Sequence, residues 1–153
     1  MKKRIGVVVL VLLLLLLAGA GAGFYYYYSK YINIDAIYPG VTIQGMSVGG
    51  MTQEEAEAKV QEYVDQVSQE TVTLQVRKKE TAFPLSDIGL KCTNMDVVEE
   101  AYNLGKTGNV FKRVMEVREL EKKGTDFPLT FSVDKEETKK VVAKKAKKFL
   151  AKK

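Results

Sequence analysis

The chain has 153 residues, a formal net charge of +5, one cysteine and no histidine. A single cysteine excludes an intramolecular disulfide, and the lack of histidine excludes Ser-His and Cys-His catalytic pairs and Cys/His zinc sites. The charge is unevenly distributed, with a net +3 on residues 1–40, −6 on 41–138 and +8 on 139–153. The central region is therefore acidic, which argues against nucleic-acid binding, since such domains carry a basic stripe across the folded face.

The N-terminus predicts a membrane anchor. Residues 5–24 contain no charged side chain, and a helix of this length spans about 30 Å, the thickness of the hydrocarbon core. The basic stub 1–4 stays in the cytoplasm by the positive-inside rule, and the tyrosines at 25–28 are typical of an aromatic belt. We predict a single-pass transmembrane signal-anchor over 5–28 and an extracytoplasmic C-terminal domain.

A cleaved signal peptide is the alternative for the same segment. Its apolar core would be residues 6–17, and Ala18-Gly19-Ala20 fits the small-x-small cleavage rule. The remainder of the chain is extracytoplasmic under either interpretation.

The next region predicts a linker, a strand and a helix. Residues 29–40 are predicted to form a linker or an entry strand, and residues 41–45 alternate in the manner of a strand. Thr52 and Glu55 form a capping box, so a helix begins there and ends near Ser68.

A hairpin and a short strand follow. Residues 71–77 alternate strictly, and Lys78 turns the chain into an edge strand over 80–85, which contains a proline. Residues 86–89 read as a turn and 90–92 as a short strand.

Two further helices are predicted from their caps. Thr93 or Asn94 caps the first of them, which Gly105 ends. Asn109 caps the second, which ends before Gly124. An apolar stripe of the second is predicted to consist of Val110, Val114 and Val117.

The C-terminal region echoes the start of the domain. Residues 127–133 predict a strand, and Asp134, with Glu137 three residues on, caps a last helix. This order matches residues 41–56, but the second copy stops where the first continues into a strand. The pattern indicates a fragment of a longer protein or a short relative of one.

Three motifs together support a family resemblance: residues 37–56, 85–91 and 101–109. They resemble the peptidoglycan-binding domain that follows the N-terminal anchor in VanW-type proteins and some L,D-transpeptidases of Gram-positive bacteria. The resemblance covers about residues 37–150. It implies an extracytoplasmic α+β domain over 41–150, with helices packed on a mostly antiparallel sheet, that binds cell-wall polymer and presents a downstream domain.

This sequence departs from the family in two ways. The family often has arginine where this chain has Lys106, and no VanW or transpeptidase domain follows. Transpeptidase chemistry needs a cysteine and a histidine, and the chain has no histidine. We therefore assign no catalytic, metal or cofactor-binding residue.

The third motif supplies the candidate binding residues. They lie before a helix N-terminus, where exposed N–H groups could hold a carboxylate or phosphate and an aromatic ring could stack on a sugar. These residues are Tyr102, Gly105, Lys106, Gly108 and Asn109. The alternative is a plain helix–helix connection, with Gly105 and Asn109 serving only as caps.

The other polar clusters are interpreted as structural. Acidic residues Glu54, Glu55, Glu57 and Asp65 occupy solvent positions of a helix, and residues 45–50 join a strand to that helix. The last helix has an apolar stripe of Val142, Ala146, Phe149 and Leu150. The rest of the helix is covered by eight lysines: Lys139, Lys140, Lys144, Lys145, Lys147, Lys148, Lys152 and Lys153. This lysine face either binds anionic lipid or wall polymer or is simply solvated.

The sequence therefore predicts a membrane-anchored, non-catalytic module that binds peptidoglycan or another anionic wall polymer. The alternative is a structural stalk or protein-interaction domain without affinity for glycan.

Overall fold

The computed structural model describes residues 2–76 and 79–150. It has five α-helices: α1 (Lys2–Tyr27), α2 (Gln53–Gln69), α3 (Val97–Asn103), α4 (Val110–Lys123) and α5 (Lys135–Leu150). Its seven strands are short: β1 (Val41–Ile43), β2 (Met46–Ser47), β3 (Thr71–Val76), β4 (Lys79–Pro84), β5 (Lys91–Cys92), β6 (Thr125–Phe127) and β7 (Phe131–Ser132). A π-helical turn, Tyr28–Ile32, continues α1, and a 3-10 turn, Leu85–Ile88, follows β4.

The apolar N-terminal segment is helical over its whole length. It is the one helix of the described region that is long and apolar enough to cross a membrane, over Gly6–Ile32. Its side chains from Val7 to Leu17 are exposed and make no core contact with the domain. An N-terminal signal sequence meets the same criteria of length and composition.

The strands form three small sheets rather than one. β1 pairs with β2 antiparallel and with β6 parallel, whereas β3–β4 and β5–β7 are antiparallel pairs. The α+β class, with mostly antiparallel pairing, is confirmed. The single strand predicted over 127–133 is wrong: the chain leaves one sheet at Phe127, passes Pro128 and enters another at Phe131. Proline cannot donate a ladder hydrogen bond, which favours the break.

Three of the predicted helix caps are confirmed. Thr52 and Glu55 bond reciprocally as a capping box, at 3.2 and 2.9 Å. Asn109 accepts from the backbone N–H of the third helical residue at 2.9 Å. Asp134 accepts from the N–H groups of the second and third residues of α5, at 2.8 and 2.9 Å.

The cap predicted at Thr93 or Asn94 is wrong. α3 begins three residues after Asn94, and its N-cap Asp96 makes no side-chain capping bond. Thr93 and Asn94 instead bond to the backbone of Thr130, the Asn94 oxygen accepting at 2.7 Å. Short polar side chains can bond to any neighbouring backbone group and not only to a helix N-terminus. Here both side chains hold β5 against β7.

The core extends into the segment predicted as a linker, 29–40. Ile32, Ile37 and Tyr38 have no exposed surface and pack with β1, α2, α3 and α4. The Tyr38 hydroxyl donates to the Ile32 carbonyl. This segment is therefore packed against the domain, whose core also contains Val60, Val98 and Val117 among other aliphatic side chains.

One predicted apolar stripe differs from the structure. Val110 is 42% exposed, so the buried stripe of α4 runs through Val117 and Leu120 instead, with Val114 partly buried. Cys92 is partly buried beside the Asn94 amide oxygen. Of the hairpin turn predicted at Lys78 and Lys79, Lys78 lies outside the described residues and Lys79 begins β4.

Candidate functional site

The connection between α3 and α4 is positioned by one constrained glycine. Gly105 has φ +75°, and a Cβ there would lie 3.0 Å from the ring of Tyr38 and 3.4 Å from Val117. Only glycine fits both the left-handed backbone and the close contact with a buried ring. Gly105 thus ends α3 as predicted and fixes the path of residues 105–109, the α3–α4 loop.

Lys106 folds back over α3 from this loop. Its ammonium lies 3.1 Å from the centroid of the Tyr102 ring. The nitrogen is shielded from solvent and has no hydrogen-bond acceptor among the residues that the structure describes. Desolvation lowers the pKa of Lys106, while the charge of Asp35 acts in the opposite direction and that of Arg113 in the same direction. Within residues 2–76 and 79–150, the ammonium is held by contact with the ring and by long-range charge.

Asp35 joins this pair from the segment before β1. The Tyr102 hydroxyl donates to its Oδ1 atom, and this bond raises the pKa of Tyr102. The structure therefore adds a carboxylate that the sequence did not identify as part of the site. Its only sequence signal is its position as the one acidic residue among residues 1–40.

Arg113 connects the α3–α4 loop to the end of the apolar helix. Its guanidinium donates to the Tyr28 hydroxyl at 2.7 Å and to the Ile32 carbonyl at 2.9 Å. A longer contact of 3.4 Å joins Nε to the Gly105 carbonyl. The planar fork of arginine bonds several acceptors at once, which lysine cannot do.

The five predicted site residues play two different parts. Tyr102 and Lys106 are in direct contact, while Gly105 shapes the loop, Asn109 caps α4 and Gly108 adjoins the Lys112 side chain. Gly105 and Asn109 therefore have the capping roles that the plain helix–helix connection predicts. One face of the Tyr102 ring is covered by Lys106, so a sugar could stack there only after the ammonium moves.

Two of the acidic residues of α2, Glu54 and Glu57, line a separate groove. It lies between α2 and α3, has a volume of about 600 Å³ and includes Glu54, Glu57, Asp96 and Glu99 beside Met95. Glu54 and Glu57 are exposed, as the sequence predicts. No group of three or more residues able to hold a metal ion is found in the described part of the chain.

The last helix packs on the 3-10 turn and on β3. Val142 and Ala146 are partly buried, and the Lys145 ammonium lies 5.7 Å from the centroid of Phe83. Lys139 pairs with Glu136 at 2.9 Å on the exposed side. The predicted positions Lys148, Phe149 and Leu150 lie where side chains are not described, and Lys152 and Lys153 lie outside the described residues.

These features define a small α+β module whose first core residues continue directly from an apolar helix. Residues 81–152, slightly less than half of the chain, match the family model described as "Putative peptidoglycan binding domain". The match includes the motifs at 85–91 and 101–109 and confirms the resemblance for this region. The motif at 37–56 lies outside it, and the VanW context stays a prediction. No curated protein and no solved structure shows a significant match to the chain.

Proposed function

We propose that the protein is a membrane-anchored, extracytoplasmic module that binds peptidoglycan and performs no catalysis. The family match over 81–152 carries the binding part of this proposal. The exposed apolar helix before the domain supports the anchor, and the basic stub before it supports an extracytoplasmic domain. The family description names binding rather than a reaction, which supports a non-catalytic role.

Within the module, we place the binding site at Tyr102 and Lys106, with Asp35 beside them. The unpaired Lys106 ammonium is the observation that carries this assignment, because a shielded charge without an acceptor is costly in a folded protein. A carboxylate or phosphate of the wall polymer would supply the missing acceptor. In swinging towards that anion, Lys106 would also uncover the Tyr102 ring for a sugar.

The other predicted residues support this site. Gly105 holds the loop close to the core, and Asn109 orders the first turn of α4. Gly108 lies between Lys106 and that turn. In this arrangement the first backbone N–H groups of α4 lie in the same loop region as Lys106 and favour an anionic ligand.

The test is co-sedimentation of the full chain, solubilised in detergent, with isolated peptidoglycan with and without teichoic acid, across a salt series. Lys106→Gln removes the proposed contact, and Lys122→Gln is the matched control, since Lys122 is exposed on α4. We expect salt-resistant binding to bare peptidoglycan that Lys106→Gln weakens and Lys122→Gln leaves unchanged.

Two other outcomes would point to a different binding region or to no wall binding at all. Binding that requires teichoic acid and disappears with salt would move the activity to the lysines of α5, through screening. A protein that stays in the supernatant throughout would contradict wall binding. The stalk interpretation would then replace it, and the bonds of Arg113 to the end of the apolar helix favour such a positioning role.

A further inference from the structure

The outer face of α4 carries large apolar side chains that the fold leaves uncovered. Phe111 is 76% exposed, Met115 53% and Val110 42%. Phe111 and Met115 are one turn apart and therefore lie side by side on the helix. Arg118 continues the same face, and the exposed ion pair of Glu119 and Lys123 follows it, so the patch is apolar at the N-terminal end of α4 and charged further along.

This patch lies at the end of the domain from which the apolar helix leaves. Arg113, in the first half of α4, bonds to Tyr28 and Ile32. Leu120, about 10 Å further along α4, lies against Gly40, next to the sheet. α4 therefore begins beside the apolar helix and runs away from it. Because helical side chains tilt towards the N-terminus, Phe111 points back towards that end.

The same end of the molecule exposes several aromatic rings on the apolar helix itself. Tyr25 is 73% exposed, Tyr26 62% and Tyr31 46%. Tyrosines at the end of a membrane span occupy the headgroup region of the bilayer. Exposed apolar side chains beside basic ones match that region, where acyl chains begin and anionic headgroups lie. Lys112, directly after Phe111, has a side chain that is 59% exposed and lies 3.5 Å from the Glu116 carboxylate.

We propose that Val110, Phe111 and Met115 insert into the interfacial layer of the bilayer leaflet at which the apolar helix ends. The domain then lies against the membrane through the first turns of α4, with the basic side chains of this helix on lipid headgroups. This inference rests on the membrane anchoring proposed above. The occupant of the patch is lipid, because α4 begins beside Tyr28 and Ile32, at the end of the segment proposed to enter the bilayer.

The chain contains no tryptophan, so one introduced tryptophan reports on a single position. Three full-length variants are reconstituted in vesicles of phosphatidylcholine and phosphatidylglycerol with brominated acyl chains: Tyr25→Trp, Phe111→Trp and Gln66→Trp. The first reports on the anchor and the second on the proposed insertion. The third is the control, because Gln66 is exposed on α2.

We expect the emission at position 111 to be quenched to an extent comparable with position 25, while the emission at position 66 is unchanged. Quenching at 25 without quenching at 111 would overturn the insertion of α4 and leave the anchoring intact. Lack of quenching at both positions would overturn the anchoring and the insertion together. Equal quenching at all three positions would show that the domain has no preferred membrane face, which also overturns the inference. Phe111 makes no core contact, so its replacement leaves the packing unchanged.

Discussion

Arg113→Met removes the connection between the apolar helix and the domain while keeping an unbranched side chain. Two short hydrogen bonds from a charged donor are lost, at 2.7 Å to Tyr28 and 2.9 Å to the Ile32 carbonyl. Hydrogen bonds to charged groups contribute about 1.5–3 kcal/mol each. The Ile32 carbonyl keeps the bond from Tyr38, which reduces the loss. We expect the free energy of unfolding to fall by about 2–4 kcal/mol.

The measurement is denaturant unfolding of the full chain in detergent, followed by circular dichroism. Arg118→Met is the matched control, because it removes the same side chain from an exposed position of the same helix. Exposed substitutions usually change stability by less than about 0.5 kcal/mol. If the two variants have equal stability, Arg113 does not hold the two segments together and the reasoning fails.

Three further predictions concern local structure, each tested by unfolding of the full chain. Gly105→Ala and Gly45→Ala both place alanine at φ +75°, but only at Gly105 would the Cβ meet a buried ring. We therefore expect the first to cost about 1–3 kcal/mol more than the second, and equal losses would contradict the contact. Thr52→Ala removes half of a capping box and should cost about 1 kcal/mol; an unchanged midpoint would refute the role of the cap. The bonds from the Thr42 hydroxyl and from the Gly45 N–H lower the pKa of Asp126. The Asp126 carboxylate therefore stabilises the fold fully above the ordinary aspartate pKa of about 3.9. This stabilisation is lost as the pH falls through the lower pKa that Asp126 has in the folded state. In Asp126→Asn the free energy of unfolding should fall less steeply as the pH is lowered into the acid range. An unchanged pH dependence would show that Asp126 does not stabilise the fold in this way.

Local signals in the sequence predicted most of the helices. The capping box at Thr52 and the caps at Asn109 and Asp134 act within one turn, so they can be identified without knowledge of the fold. Thr93 and Asn94 also have short polar side chains, yet they bond to the backbone of Thr130, just before β7 and 36 or more residues away. That choice depends on the pairing of β5 with β7, which no local pattern encodes.

The candidate site was predicted only in part, for a similar reason. Its motif identified Tyr102 and Lys106 because they are close in the chain. Asp35 joins Tyr102 from 67 residues away, and Arg113, which is near the motif in sequence, bonds to Tyr28, 85 residues away. Residues 29–40 resembled a linker because they contain turn residues and little periodicity. Their burial depends on a core that α3 and α4 supply.

The packing of residues 29–40 limits where the module can act. A flexible segment of that length would let the domain wander by about 20 Å, and it would sample polymer at varying heights. Here Ile32, Ile37 and Tyr38 fix that segment in the core, so it is not a free tether between the apolar helix and the domain. A domain of this size is about 35 Å across. If α1 spans the membrane as proposed, the module reaches only wall polymer that lies within roughly that distance of the bilayer.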